Sequence, residues 1–142
     1  MPWHDLLVAL YNYLAAAGIT VQQGLPDEGK ALSMDGGALT CVSRVSEEMP
    51  DVYSGGEGSV TLGLDFIIVV PDADMATGYT KLAALEAKAI DQVKAWAEQD
   101  VPCKDCEVMQ VKFGGSGGNP NVDRPVVASY LDIDITYSLR TM

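Results

Sequence analysis

The sequence predicts an α+β domain: a mixed or antiparallel four-stranded sheet with two helices packed on one face, in the order α-β-β-α-β-β. One long stretch, Ser59–Val70, alternates with period two. Val60, Leu62, Leu64, Phe66, Ile68 and Val70 fall on one side, and Thr61, Gly63 and Asp65 on the other. A second stretch from Pro125 through Leu139 does the same. Val127, Leu131, Ile133, Ile135, Tyr137 and Leu139 oppose Tyr130, Asp132, Asp134, Thr136 and Ser138. Two further stretches, Trp3–Ala17 and Ala76–Gln99, place apolar residues at three- and four-residue steps, as helices lying on a core do. Two strand pairs joined by a helical crossover close into one layered domain.

In chain order, the first helix carries the stripe Trp3, Leu6, Leu7, Leu10, Tyr13, Leu14 and Ala17. Pro2 suits a first-turn position, and Gly18 suits the left-handed residue that terminates a helix. Ile19–Val21 is a short extended piece, and Gln22–Lys30, with Gly24, Pro26 and Gly29, is a loop. Ala38–Val45 is a strand of ambiguous facing, because Leu39, Cys41 and Ser43 alternate with Ala38, Thr40, Val42 and Arg44. Residues 46–58 (with EEMPDVYSGGEG) are acidic, glycine-rich and too long for a tight hairpin, which predicts an exposed, mobile loop. In Ser59–Val70, Ile67 and Val69 turn the second side apolar, so the end of that strand is expected to be covered on both faces. Pro71 stops it.

Asp72 and Asp74 precede the second helix, where carboxylates are favourable with its dipole. Leu82, Leu85, Ala89, Val93 and Trp96 form its buried seam. Lys81, Glu86, Lys88, Asp91, Lys94 and Glu98 read as solvated, and Val101–Pro102 ends the helix. Val108–Phe113 is a short strand, followed by a second flexible loop over 114–124 (GGSGGNPNVD and Arg124).

The 142 residues make one domain, large enough to bury roughly two-thirds of its unfolded surface without staples. Twenty acidic against nine basic residues give a formal net charge of −11, which disfavours gripping a phosphate backbone. No stretch reads as a secretion signal or a membrane span. Three cysteines are an odd set, too few for a disulfide framework, and point to a reducing cytoplasm. An acidic, soluble, intracellular domain is expected.

Candidate chemistry is sparse. Cys103 and Cys106 form a CxxC, but His4 is the only histidine and Cys41 lies in another strand, so the four ligands of a structural zinc are not assembled. The pair follows a helix in an acidic neighbourhood, the reverse of what lowers a thiol pKa, and reads as unreactive loop thiols. Asp132 and Asp134 share a strand face and Asp65 lies on another strand; without a positioned base they read as a polar sheet face open to solvent or a partner. GGSGG lacks the lysine and following helix of a phosphate loop. No catalytic residue, metal or cofactor is expected.

The whole plan resembles the tail-terminator (tail-completion) family of long-tailed bacteriophages. The resemblance rests on the opening helix DLLVALYNYLAAAGI and on the strand SVTLGLDFIIVVPD running into ATGYTKLAALEAKAIDQVKAWAEQ. It rests also on the last strand RPVVASYLDIDITYSL and on acidic character with large polar loops. It spans nearly the full chain as a pattern of elements. It implies a homohexameric ring, without catalytic residues, that caps the tail tube, stops its polymerisation and offers a joining surface to the head side. The implied partners are other copies of itself, the tail tube protein and the head-side connector or neck protein, with DNA passing through the lumen unbound. The implied location is the virion tail or neck, after assembly in the host cytoplasm. Loop residues Glu47, Glu48, Asp51, Tyr53, Glu57, Asn119, Asn121, Asp123 and Arg124 are then candidate contacts to neighbouring subunits or rings. A neck connector, a small CxxC thiol or metal-binding protein, and an acidic adaptor for a basic partner are the competing readings.

Overall fold

The computed structural model describes residues 2–24, 37–48, 57–69, 75–99, 106–118 and 126–139. They form α1 (Pro2–Ala16), β1 (Val21–Gln23), β2 (Ala38–Glu48), β3 (Glu57–Val69), α2 (Met75–Ala97), β4 (Cys106–Gly118) and β5 (Val126–Leu139). The sheet has five strands in the order β1-β2-β3-β5-β4. Its β2–β3, β3–β5 and β5–β4 ladders are antiparallel, and β1 runs parallel to β2.

α1 ends as its sequence predicts. Gly18 has φ +86°, its N–H donates to the Ala15 carbonyl at 3.1 Å, and the Ile19 N–H donates to that of Leu14 at 3.2 Å. These are the paired bonds of a glycine-terminated helix, and buried Ile19 and Leu14 add the apolar contact that accompanies them. Gly18→Ala forces a Cβ into left-handed backbone. It is expected to lower stability by about 1–2 kcal/mol in urea unfolding, with unchanged far-UV dichroism.

Both helices pack on one face of the sheet, α1 against β1 and β2, α2 against β3 and β5, and each against the other. The main core fills that space. Leu6, Leu10 and Leu14 of α1 and Leu82, Ala89, Val93 and Trp96 of α2 meet Val42, Leu62, Leu64, Phe66, Ile133, Ile135 and Tyr137 of the sheet. Leu85, predicted in the same seam, is half-buried at its margin. Glu86, expected among the solvated positions, is half-buried and accepts a hydrogen bond from the Ser129 hydroxyl. Gln99 Nε2 donates to Tyr13 Oη at 3.3 Å, tying the two helices together.

The opposite face holds a second, smaller apolar cluster of Leu39, Cys41, Ile67 and Val126, with Val69 and Ala128 against it. Ile67 and Val69 thus mark a strand end buried on both sides, as their pattern predicts. The same cluster resolves β2: both of its faces are buried at this end, so neither side of its alternation looked polar.

Three expectations need correction. The fifth strand, β1, was read as a short extended piece. Three residues are too few to show alternation, and its partner is the distant Thr40–Val42. Parts of the two expected loops are strand: Glu47 and Glu48 pair with Val60 and Ser59, Glu57 pairs with Ser138, and β4 runs on through Gly114–Gly118. Glutamate and glycine are poor strand formers alone, and here the ladder beside them decides. Cys106, read as a loop thiol, is a fully buried β4 residue and is disulfide-bonded, whereas Cys41 is a buried thiol of β2. Cys103 lies outside the described residues. Among the described residues no helix is long and apolar enough to cross a membrane.

Candidate functional site: the helix-free face of the sheet

Strand alternation sends every second residue of the sheet away from the helices. Beyond the small Leu39–Ile67 cluster, that face is polar and strongly acidic. Asp65 of β3 lies opposite Tyr130 of β5, Asp132 opposite Gly63, and Asp134 opposite Thr61. The Thr61 hydroxyl donates to Asp134 Oδ1 at 2.7 Å. Lys112 of β4 is the register partner of Asp134 from the other side. At one end of the same face stand exposed Glu48, Glu57 and Glu107, the last two both in register with Ser138.

The sequence of β4 shapes this surface. A bulge between Phe113 and Ser116 coincides with Gly114 and Gly115. A Cβ at Gly114 would stand 2.8 Å from Asp134 Oδ2, so only a residue without a side chain leaves that carboxylate where it is. The carboxylates are close enough to feel one another. The Asp65 carboxyl is pushed above the usual carboxylate range, first by burial and then by Asp132, and that of Asp132 likewise by burial and then by Asp134.

The sign of the pH dependence follows. A carboxyl whose pKa is higher folded than unfolded binds more protons in the folded state between the two values. Its contribution to stability therefore falls as pH rises through that window and stays unfavourable at neutral pH. Asp65→Asn removes a half-buried charge and is expected to raise Tm at pH 7 by roughly 2–4 °C, since screening at a part-open site holds the gain below about 1 kcal/mol. The gain is expected to shrink on acidification below the Asp65 pKa, which thermal melts from pH 7 to pH 4 will read.

Of the residues singled out in sequence, the structure brings Glu48 and Glu57 to this face and turns Glu47 to the other. Glu47 Oε2 accepts from the buried Tyr137 hydroxyl at 3.4 Å. Burial, then Glu47, pushes that phenol up to about 12. On the helix side of the same strand, the Arg44 guanidinium lies 4.3 Å from the Trp3 ring centre, a cation–π contact binding the start of α1 to β2. Asp51, Tyr53, Asn119, Asn121, Asp123 and Arg124 lie outside the described residues. Glu107 and Lys112 were not singled out, because only the β4–β5 register places them on the acidic face.

Chemically the face offers carboxylates, hydroxyls and one ammonium. No three His, Cys, Asp or Glu side chains among the described residues converge as a metal-holding group. What the arrangement provides is a broad, predominantly negative surface, backed by a packed core.

No family model matches this sequence, and no curated protein matches it. Among solved structures, the chain is similar to one from the "virion of native gene transfer agent (GTA) particle". The TM-score is 0.51 at 17% identity, covering 97% of this chain and 91% of that chain. At that identity the likeness establishes a shared fold, and it runs over nearly the whole of both chains.

Proposed function

We propose that this chain is a structural subunit of a phage-like particle. Specifically, it is the terminator that closes the tail tube, assembled as a hexameric ring, working without catalysis. The observation that carries the reading is the fold held in common, over almost its full length, with a chain of a gene transfer agent virion. The order of elements that resembles tail terminators in sequence points the same way.

The geometry suits the task in physical terms. A sheet backed by two helices is a stiff wedge, and six wedges closing head-to-tail need two different complementary edges on each subunit. In this reading the helix-free face, with Asp65, Asp132 and Asp134, lines the lumen. A wall of carboxylates repels the phosphate backbone, so DNA passes without being held. One rim stops addition of tail tube subunits and the other receives the head-side neck protein. The protein acts in the tail or neck of the particle, after assembly in the host cytoplasm.

The test is mass photometry of the purified protein over a concentration series, with negative-stain images, followed by addition to growing tail tubes. Hexameric rings that stop tube growth are the expected result. Rings that bind the head side and leave tube growth unchanged assign the chain to the neck instead. A monomer at every concentration, with or without tubes, overturns the reading.

A further inference from the structure

The helix-covered face of the sheet is filled unevenly. Near its start, β4 contributes Cys106, Val108, Val111 and Phe113 to the core or its margin. Past the bulge, the positions in register with core-facing Leu131 and Ser129 are Ser116 and Gly118, and a Cβ at Gly118 would meet nothing within 4 Å. α2 makes its main sheet contacts with β3 and β5. The small residues therefore leave a cleft of about 840 Å³ between α2 and the Ser116–Gly118 end of β4. Its walls are apolar, with Phe66, Leu82, Ile90, Val127 and Leu131, and Tyr79 of α2 stands at it 60% exposed. Among the described residues the one charged group lining it is Glu86, fixed by the hydroxyl of buried Ser129.

A second, independent feature adjoins the cleft. β4 is an end strand of the sheet, thirteen residues long, and among the described residues its outer edge pairs with no strand. A long unpaired edge is a template for another strand, and natural sheets that leave one open commonly use it.

We propose that this corner is a docking site for an extended segment of a different protein. The segment adds along the free edge of β4 and sends alternate side chains toward the cleft, apolar ones to its walls and one lysine or arginine to Glu86. Strand addition supplies the backbone bonds, and the period of two supplies the spacing for side chains entering on one side. Charge decides the occupant. Among the described residues the cleft's one ionic group is a carboxylate, and the chain itself is acidic at −11, so a basic-apolar segment of another protein complements it better than a second copy does. The site lies on the helix side of the sheet, away from the acidic face, and stands whether or not the chain closes into a ring.

The probes are fluorescein-labelled peptides of about eight residues, alternating threonine and valine, with lysine, norleucine or glutamate at one central inward position. They are titrated against the full chain by anisotropy. The lysine peptide is expected to bind at least about tenfold tighter than the glutamate peptide. Glu86→Gln, which keeps an acceptor for Ser129, is expected to reduce that preference to about twofold or less. Gly118→Leu, which puts a side chain into the open space, is expected to abolish binding of every peptide with the far-UV dichroism unchanged. Three results each overturn the proposal: no peptide binding at sub-millimolar concentration, lysine preference surviving Glu86→Gln, or binding surviving Gly118→Leu. Self-association of the wild type that Gly118→Leu alone removes would give the site to a second copy, which also overturns it.

Discussion

Val93→Asp is expected to leave the protein without a cooperative thermal transition. Val93 is 1% exposed in the C-terminal part of α2, inside the core shared by both helices and the sheet. A carboxylate there is set among apolar side chains and loses its water, a change of several kcal/mol even after it takes up a proton. The lost apolar burial adds about 1–3 kcal/mol. Against a total stability of roughly 5–15 kcal/mol for a domain, the two together remove most or all of the folded population. Val93→Ala is the control, losing about 1–3 kcal/mol and still melting cooperatively. Near-UV dichroism and calorimetry read both, and a folded Val93→Asp variant would mean that α2 presents another face to the sheet.

Trp96→Ala is expected to lower Tm by roughly 10–20 °C, from a loss of about 3–5 kcal/mol. Trp96 is the largest fully buried side chain among the described residues, the penultimate residue of α2, and truncation leaves a void that its apolar neighbours fill only in part. Trp96→Phe separates packing from polarity. The indole Nε1 is buried and finds no acceptor among the described residues. The phenylalanine variant loses part of the packing but also removes a desolvated donor that itself costs about 1–3 kcal/mol. It is therefore expected to fall within about 2 kcal/mol of wild type. Urea titrations of the three proteins, compared at one temperature, check the ordering wild type ≥ Phe ≫ Ala.

Much of the fold was legible where one residue type repeats on one side of an element. Leu131, Ile133, Ile135 and Tyr137 announce β5 and its facing, and all are buried; Gly18 marks the end of α1. Legibility failed where a distant neighbour decides. β1 exists because β2 lies beside it. Glu47, Glu48 and the glycines of β4 are strand because ladders extend over them, and Cys41 is buried in the cluster that Leu39, Ile67 and Val126 form on three neighbouring strands. The acidic face was half legible. Asp65, Asp132 and Asp134 were visible as a polar sheet face, but Glu107 and Lys112 join it only through the β4–β5 register. Glu86 misled for a different reason: four residues after Leu82 and three before Ala89 it borders the apolar seam, and its charge alone made it read as solvated; the position of α2 over β5 brings Ser129 to it.

The place of β5 between β3 and β4 also governs when the sheet can form. β3 and β5 pair residues roughly 60 to 80 positions apart, and β4 is made before the strand it must lie against. On a ribosome, β3 therefore emerges with one edge unsatisfied and β4 with no ladder partner, and both wait for the strand that joins them. Until β5 arrives the edge of β3 and the whole of β4 are open templates, a state prone to pairing with the wrong neighbour. Completion of the sheet therefore waits on the last strand to be made. A chain stalled before Val126 is then a candidate for chaperone capture, because its exposed strand edges have no partner.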